Sequence, residues 1–118
     1  MNQSGIYHSL KEITLDDRHI IFKLRTGRML NYSMLYAYLK RKLRLPSYFG
    51  NNLDALYDCL TDLSWLGDTR QIILEFDQTA RLLSEEPKNR AAAFTELLRD
   101  VAQEKSETKT EFIVIFNE

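Results

Sequence analysis

The chain has 118 residues and a formal net charge of −1, with 44% hydrophobic and 28% charged residues, a composition typical of one globular domain with a sizeable core. Its apolar runs are much shorter than a membrane span and no signal-peptide pattern opens it, so we expect neither a membrane-spanning nor a secreted protein. The one cysteine, Cys59, cannot form an internal disulfide, which is consistent with the cytoplasmic location that we expect.

The charges are unevenly distributed along the chain. Residues 1–46 contain nine Lys and Arg and three Asp and Glu, a net charge of +6. Residues 47–118 contain seven Lys and Arg and fourteen Asp and Glu, a net charge of −7. Because an acidic region attracts basic partners, a basic protein such as a nuclease is a reasonable partner.

Residues 1–18 mix apolar and polar side chains and allow two interpretations, an extra strand or an ordered arm. We treat them as an N-terminal extension of a domain at residues 19–118. The domain opens with a predicted strand at residues 19–24, which is short and apolar and is followed by a turn at Gly27.

The next predicted element is a helix that ends in basic residues. Asn31 or Ser33 can cap it, and it runs to about Arg44, before Pro46. A basic run can bind RNA, but cations at the end of a helix also complement its dipole. We favour the structural role, because no aromatic stacking pattern or RNA-binding motif accompanies the run. The cations are Lys40, Arg41, Lys42 and Arg44.

A loop and an amphipathic helix follow Pro46. Asn51 or Asn52 can cap this helix, which begins at about Leu53. At about 100° per residue, its side chains separate into an apolar face and a polar face. The apolar face contains Leu53, Leu56, Cys59, Leu60 and Leu63, and the polar face contains Asp54, Tyr57, Asp58, Thr61 and Asp62.

Three carboxylates form a row on the polar face. Asp54, Asp58 and Asp62 follow one another at i, i+4 spacing, at which each like-charged pair destabilises a helix by a few tenths of a kcal/mol. An ordinary solvated face explains Asp54, because the helix dipole favours an anion in the first turn, but it does not explain Asp62. The alternative interpretation is that this face binds a basic partner.

The second half of the chain predicts two more buried strands, at residues 71–76 and 111–116. Between them, we expect a short helix around residues 79–84 and a longer helix with Pro87 in its first turn. Apolar strands that alternate with helices indicate a parallel sheet, so the fold class is α/β.

Residues 48–61, with the sequence YFGNNLDALYDCLT, resemble the central loop and helix of the barstar family, the intracellular inhibitors of the ribonuclease barnase. The resemblance runs from about residue 19 to the end of the chain and is close only over residues 45–61. It implies a barstar-like α/β fold, a three-stranded parallel sheet packed with about four helices. It also implies an inhibitor that is not an enzyme and needs no cofactor or metal.

The resemblance further implies a set of partner-binding residues. Tyr48, Asp54 and Asp58 match the family residues that enter the ribonuclease active site, with Asp58 at the phosphate-binding position. Thr61 matches another contact, and Asp100 aligns with a glutamate that forms a peripheral salt bridge. We add Asn52, which precedes the acidic helix.

Three positions depart from the family pattern, and one of them is Leu63, which replaces a second tryptophan at the end of the helix. Tyr57 replaces a tryptophan, which keeps an aromatic contact and adds a hydroxyl group. Asp62 replaces a glycine and lengthens the row of carboxylates. We include Tyr57 and Asp62 among the expected partner-binding residues, although these departures leave the identity of the target open.

The leading hypothesis is a monomer that binds one basic ribonuclease or toxin nuclease one to one, with no direct contact to nucleic acid or membrane. The alternative is a barstar-fold interaction module with a non-nuclease partner. A third hypothesis, a hydrolase or metal enzyme that uses the three aspartates, is disfavoured. His8 and His19 have no partner at ligand spacing, and the chain has no metal or nucleophile motif.

Overall fold

Four parallel strands form the centre of the fold in a computed structural model that describes residues 2–118. They are β1 (Gly5–Tyr7), β2 (His19–Leu24), β3 (Gln71–Phe76) and β4 (Glu111–Phe116). Their order across the sheet is β1-β4-β3-β2. The strands predicted at residues 19–24, 71–76 and 111–116 form with those bounds, and the predicted parallel α/β architecture is confirmed.

Three α-helices connect the strands: α1 (Tyr32–Lys42), α2 (Leu53–Asp62) and α3 (Lys88–Lys105). Four short 3₁₀ helices cover Leu10–Glu12, Thr26–Arg28, Ser64–Leu66 and Thr79–Arg81. Across residues 2–118, no helix combines the length and the apolar character needed to cross a membrane.

The expected number of strands, three, is wrong, because the N-terminal segment adds a fourth. Ile6 in β1 pairs with Val114 in β4, and the Ser4 hydroxyl oxygen accepts a hydrogen bond of 2.9 Å from the Phe112 N–H. Without β1, strand β4 would be an edge strand with unpaired backbone groups. Of the two interpretations left open, the structure shows a strand; Met1 lies outside the described residues.

The expected number of helices, about four, is also wrong for α-helices. The segment predicted as a helix around residues 79–84 forms only a 3₁₀ turn, Thr79–Arg81. Leu83 has a left-handed backbone (φ 54°), and its N–H donates to the Met29 carbonyl oxygen at 2.8 Å. The chain therefore leaves helical hydrogen bonding to pair with the segment that precedes α1.

The two faces of the sheet are covered by different parts of the chain. The three α-helices pack on one face, against side chains that include Leu74, Phe112 and Val114. On the other face, three fully buried isoleucines lie under Tyr7, Leu10, Ile13 and Ile21. These isoleucines are Ile73, Ile113 and Ile115. We call residues 2–18 the N-terminal cover, because they supply most of this second layer.

A buried glutamine fastens the N-terminal cover to the sheet. Gln71 is fully buried; its side-chain amide donates to the Thr14 carbonyl oxygen and to Glu111, both at 2.9 Å. Its carbonyl oxygen accepts a hydrogen bond from the Asp16 N–H at 2.9 Å. All polar groups of this buried side chain therefore have partners, as burial requires.

The packing of the N-terminal cover predicts different effects for two neighbouring apolar residues. Ile13→Ala should lower the free energy of unfolding by about 1–2 kcal/mol, because it removes atoms packed on the buried isoleucines. Leu15 is 44% exposed, so Leu15→Ala should change that free energy by less than about 0.5 kcal/mol. Urea unfolding followed by circular dichroism measures both. Equal small losses would contradict the covering role of Ile13.

Candidate functional site

Helix α2 is oriented by its apolar face. Leu56, Cys59 and Leu60 are buried in the core, as the periodicity predicts, whereas Leu53 is half-buried. Asn52 is the N-cap, and its side-chain oxygen accepts a hydrogen bond of 2.8 Å from the Ala55 N–H. This cap fixes the first turn of the helix and the residue at which the preceding loop ends.

The other face of α2 presents the predicted row of carboxylates to solvent. Asp54, Asp58 and Asp62 are all exposed. The two ion pairs found within residues 2–118 lie elsewhere, at Arg18–Asp68 and Arg90–Glu86. The row therefore carries three negative charges that no cation of the described chain neutralises at close range.

The loop before α2 holds Tyr48 out into solvent. Its neighbour Phe49 is buried, packs edge-on against Tyr36 with ring centroids 5.9 Å apart, and donates its N–H to the Pro46 carbonyl oxygen at 3.0 Å. Tyr48 itself is 74% exposed. The anchoring of Phe49 thus presents Tyr48 on a constrained loop, instead of on a free tail.

Tyr48 and two carboxylates of the row share an open depression of about 350 Å³. Helix α2 contributes Asp58 and Asp62 to the lining of this depression, together with Ala55 and the buried Cys59. The depression brings together an aromatic ring from the loop and two anionic groups from the helix. Such a surface can accept hydrogen bonds from basic side chains while the ring supplies rigid contact area.

Helix α3 packs beside α2 and adds further acidic residues. Asp54 and Tyr57 of α2 face Glu96 and Asp100 of α3 across an open groove of about 500 Å³. The structure therefore brings Asp100 next to the predicted α2 residues, although 42 positions separate it from Asp58 in the sequence.

Sequence reasoning missed two glutamates of α3, one that lines this groove and one that bonds to Tyr57. Glu96 lines the groove, and Glu104 accepts a hydrogen bond of 2.7 Å from the Tyr57 hydroxyl. With Asp100 they repeat at i, i+4 spacing on α3, the same pattern that marks the polar face of α2. The i, i+4 spacing along α3 was the signal in the sequence. Only the packing of the helices shows that the acidic rows of α2 and α3 are neighbours.

Two of the predicted contact residues use their polar groups within the chain. The Thr61 hydroxyl lies within hydrogen-bond distance of the Tyr57 and Asp58 carbonyl oxygens, at 3.0 and 3.1 Å. The Asn52 side chain caps α2 and donates to the Gly50 carbonyl oxygen at 3.1 Å. Both residues therefore shape the helix and its loop in the free protein.

The environment raises two pKa values at this face. The hydrogen bond to Glu104 is the main cause that raises the pKa of Tyr57, followed by desolvation and by the charges of Glu104, Asp100 and Asp58. Burial raises the pKa of the Cys59 thiol, and the charges of Asp58 and Asp62 act in the same direction. The phenol and the thiol are thus both neutral at pH 7.

The described part of the chain contains no cluster of three or more His, Cys, Asp or Glu side chains arranged to hold a metal ion. The carboxylates of α2 are spread along the helix surface, where each can meet a different cationic group of another molecule. Their arrangement suits recognition of a basic surface better than enclosure of one small cation.

Comparison with known proteins identifies the family. A family model described as "Barstar (barnase inhibitor)" matches residues 19–117. The chain belongs to the barstar family. The matched residues include α2, the preceding loop and α3. We call Tyr48, the polar side chains of α2 and the neighbouring acidic residues of α3 (Glu96, Asp100 and Glu104) the acidic face, and all of it lies inside the match. Strand β1 precedes the match.

One curated relative is similar over part of its length. A Bacillus subtilis (strain 168) protein named "Putative ribonuclease inhibitor YrdF" is 44% identical over 52 residues. The alignment covers 42% of this chain, and the chain spans 55% of the length of that relative. The family description refers to inhibition of barnase, and the name of this relative refers to inhibition of a ribonuclease.

The capping role of Asn52 predicts a measurable loss of stability. Asn52→Ala removes the acceptor for the Ala55 N–H and should lower the free energy of unfolding by about 0.5–2 kcal/mol. Asn52→Ser keeps a capping oxygen and should remain close to the wild type. Urea unfolding compares the two variants. Similar stabilities for Ala and Ser would contradict the capping role.

Proposed function

We propose that this barstar-family protein inhibits a ribonuclease by placing the polar face of α2 and the Tyr48 loop in the active site of the enzyme. The observation that carries the proposal is the exposed row of Asp54, Asp58 and Asp62, which lacks ion-pair partners among residues 2–118. Membership of a family described as barnase inhibitors supports this function.

The proposed chemistry is phosphate mimicry. A ribonuclease binds the anionic phosphate of RNA with cationic side chains, and a carboxylate can accept the same charge-assisted hydrogen bonds. Asp58 is the middle carboxylate of the row and shares the depression with Tyr48. We assign it to the phosphate position, with Asp54 and Asp62 contacting cations on either side.

The construction of the face favours tight binding. Its carboxylates extend from one helix whose apolar face is buried, and Tyr48 extends from a loop that Phe49 anchors. Binding therefore orders few backbone segments, which lowers the entropic cost of association. Tyr48 adds rigid contact area, because an aromatic side chain has few rotatable bonds to immobilise.

The partner that suits this face is a basic ribonuclease or toxin nuclease, bound one to one by a monomer. Direct binding of RNA is disfavoured, because the two acidic helices repel phosphate. The protein acts by occupying an active site, so we assign it no reaction, cofactor or metal. Such an inhibitor would give immunity to a cell that makes the nuclease.

The central role of Asp58 is tested by Asp58→Ala. This variant should weaken inhibition by about 30-fold or more, the effect of about 2–5 kcal/mol expected when one partner of a buried charge pair is removed. Its free energy of unfolding should stay the same or rise by a few tenths of a kcal/mol, because like-charge repulsion along α2 falls. The measurement is titration of a purified barnase-family ribonuclease against RNA hydrolysis.

Asp17→Ala is the matched control for this titration, because Asp17 is an exposed aspartate that lines neither the depression beside Tyr48 nor the groove between α2 and α3. It removes the same charge and should inhibit like the wild type. Equal inhibition by wild type and Asp58→Ala would contradict the phosphate-mimic role. A folded wild type that inhibits no ribonuclease would favour a barstar-fold interaction module with another partner.

The acidic face also predicts a salt-dependent association rate. The net charge is only −1, so attraction of a basic enzyme depends on the local field of α2 and α3. Raising the salt concentration from about 0.05 to about 0.5 M should slow association by about tenfold and change dissociation much less. Stopped-flow fluorescence measures both rates. An association rate that does not change with salt would contradict electrostatic attraction by this face.

A further inference from the structure

One hydrogen bond links the polar face of α2 directly to α3. The Tyr57 hydroxyl donates to a Glu104 carboxylate oxygen at 2.7 Å, across 47 positions of sequence. Tyr57 lies in the middle of α2, and Glu104 lies in the last turn of α3. The bond therefore ties α3 to Tyr57, one of the α2 residues that line the groove with Asp54 and Asp100.

This contact depends on the hydroxyl group of Tyr57. The ring packs against the edge of the core and is half-buried, while Glu104 is exposed. A phenylalanine at position 57 would keep the ring but could not donate to the carboxylate. Glu104 takes part in neither ion pair of residues 2–118. The Tyr57 hydroxyl donates a hydrogen bond to its carboxylate.

We propose that Glu104 is a positioning residue for the acidic face, which holds the Tyr57 ring in one orientation across the groove between α2 and α3. This inference rests on the proposed function, because the ring is positioned for contact with the same basic partner. A ring that is already fixed loses less conformational freedom on binding. It can then line the groove together with Asp54, opposite the carboxylate of Asp100.

The titration of Tyr57 supports the contact and supplies a readout that needs no partner. The bond to Glu104 raises the pKa of Tyr57, and the charges of Asp100 and Asp58 also face the phenol and raise it. The neutral phenol is the donor, so the bond persists at pH 7 and is lost as the pH rises through the pKa of Tyr57. Removing Glu104 should therefore lower that pKa.

The experiment compares four variants with the wild type. Tyr57→Phe removes the donor, Glu104→Ala removes the acceptor, and the double variant removes both. Glu104→Gln removes the charge but keeps an oxygen that can accept the bond. Glu107→Ala is a control, because it removes an exposed glutamate just beyond α3 that is not bonded to Tyr57.

The binding measurement uses the same purified barnase-family ribonuclease. Tyr57→Phe and Glu104→Ala should each weaken binding by about 2- to 12-fold, mainly through faster dissociation. The double variant should lose no more than the larger single effect, because both changes break one bond. Glu104→Gln and Glu107→Ala should stay within about twofold of the wild type.

Two results would overturn the positioning role. If Glu104→Gln binds the ribonuclease as weakly as Glu104→Ala, the affinity depends on the charge of Glu104 and not on its hydrogen bond to Tyr57. If the double variant loses the product of the two single effects, Tyr57 and Glu104 act independently.

Titration of the Tyr57 ring by NMR in the free protein separates this inference from the proposed function. Its pKa should fall in Glu104→Ala relative to the wild type, and an unchanged pKa would contradict the bond itself. If Glu104→Ala lowers the pKa of Tyr57 but leaves the affinity unchanged, the positioning role is contradicted. The proposed function is then still decided by the Asp58→Ala result. A wild type that binds no ribonuclease would contradict both proposals.

Discussion

The burial of Leu56 and Leu60 in the core holds α2 beside α3, and the whole acidic face depends on it. Both leucines are fully buried, and burial of each such side chain contributes about 1.5–3 kcal/mol. Repulsion between neighbouring aspartates on the opposite face costs only a few tenths of a kcal/mol per pair. The free energy of burying the leucines is several times larger than this repulsion. The helix therefore stays packed in the core although it carries a row of like charges.

Both ends of α2 are fixed by local features that also shape the surroundings of the site. Asn52 caps the start and ties the end of the loop to the helix. At the other end Leu63 adopts a left-handed backbone (φ 47°) while its side chain is buried. A leucine is strained in that conformation, and its burial in the core offsets the strain. Packing therefore fixes the length of the face as well as its orientation.

The sheet is protected on its second face by residues outside the part of the chain that matches the barstar family model. The N-terminal cover buries Ile73, Ile113 and Ile115, and hydrogen bonds from Gln71 hold it in place. Because this cover and the helices bury the apolar surfaces of the sheet, the large hydrophobic side chains that remain exposed within residues 2–118 are Leu15 and Tyr48. Tyr48 lies beside Asp58 and Asp62, where the proposed partner would cover it.

The sequence by itself determined the local features of this protein. Three strands, the Asn cap of α2 and its two faces follow from hydrophobic periodicity and capping chemistry, which act over a few residues. Only the tertiary structure decided the features that join distant segments. Strand β1 is too short to carry a clear pattern and forms because β4 offers an open edge. The Tyr57–Glu104 bond and the facing of Asp54 and Asp100 depend on how α2 and α3 pack, and side-chain spacing along one helix carries no information about its neighbour.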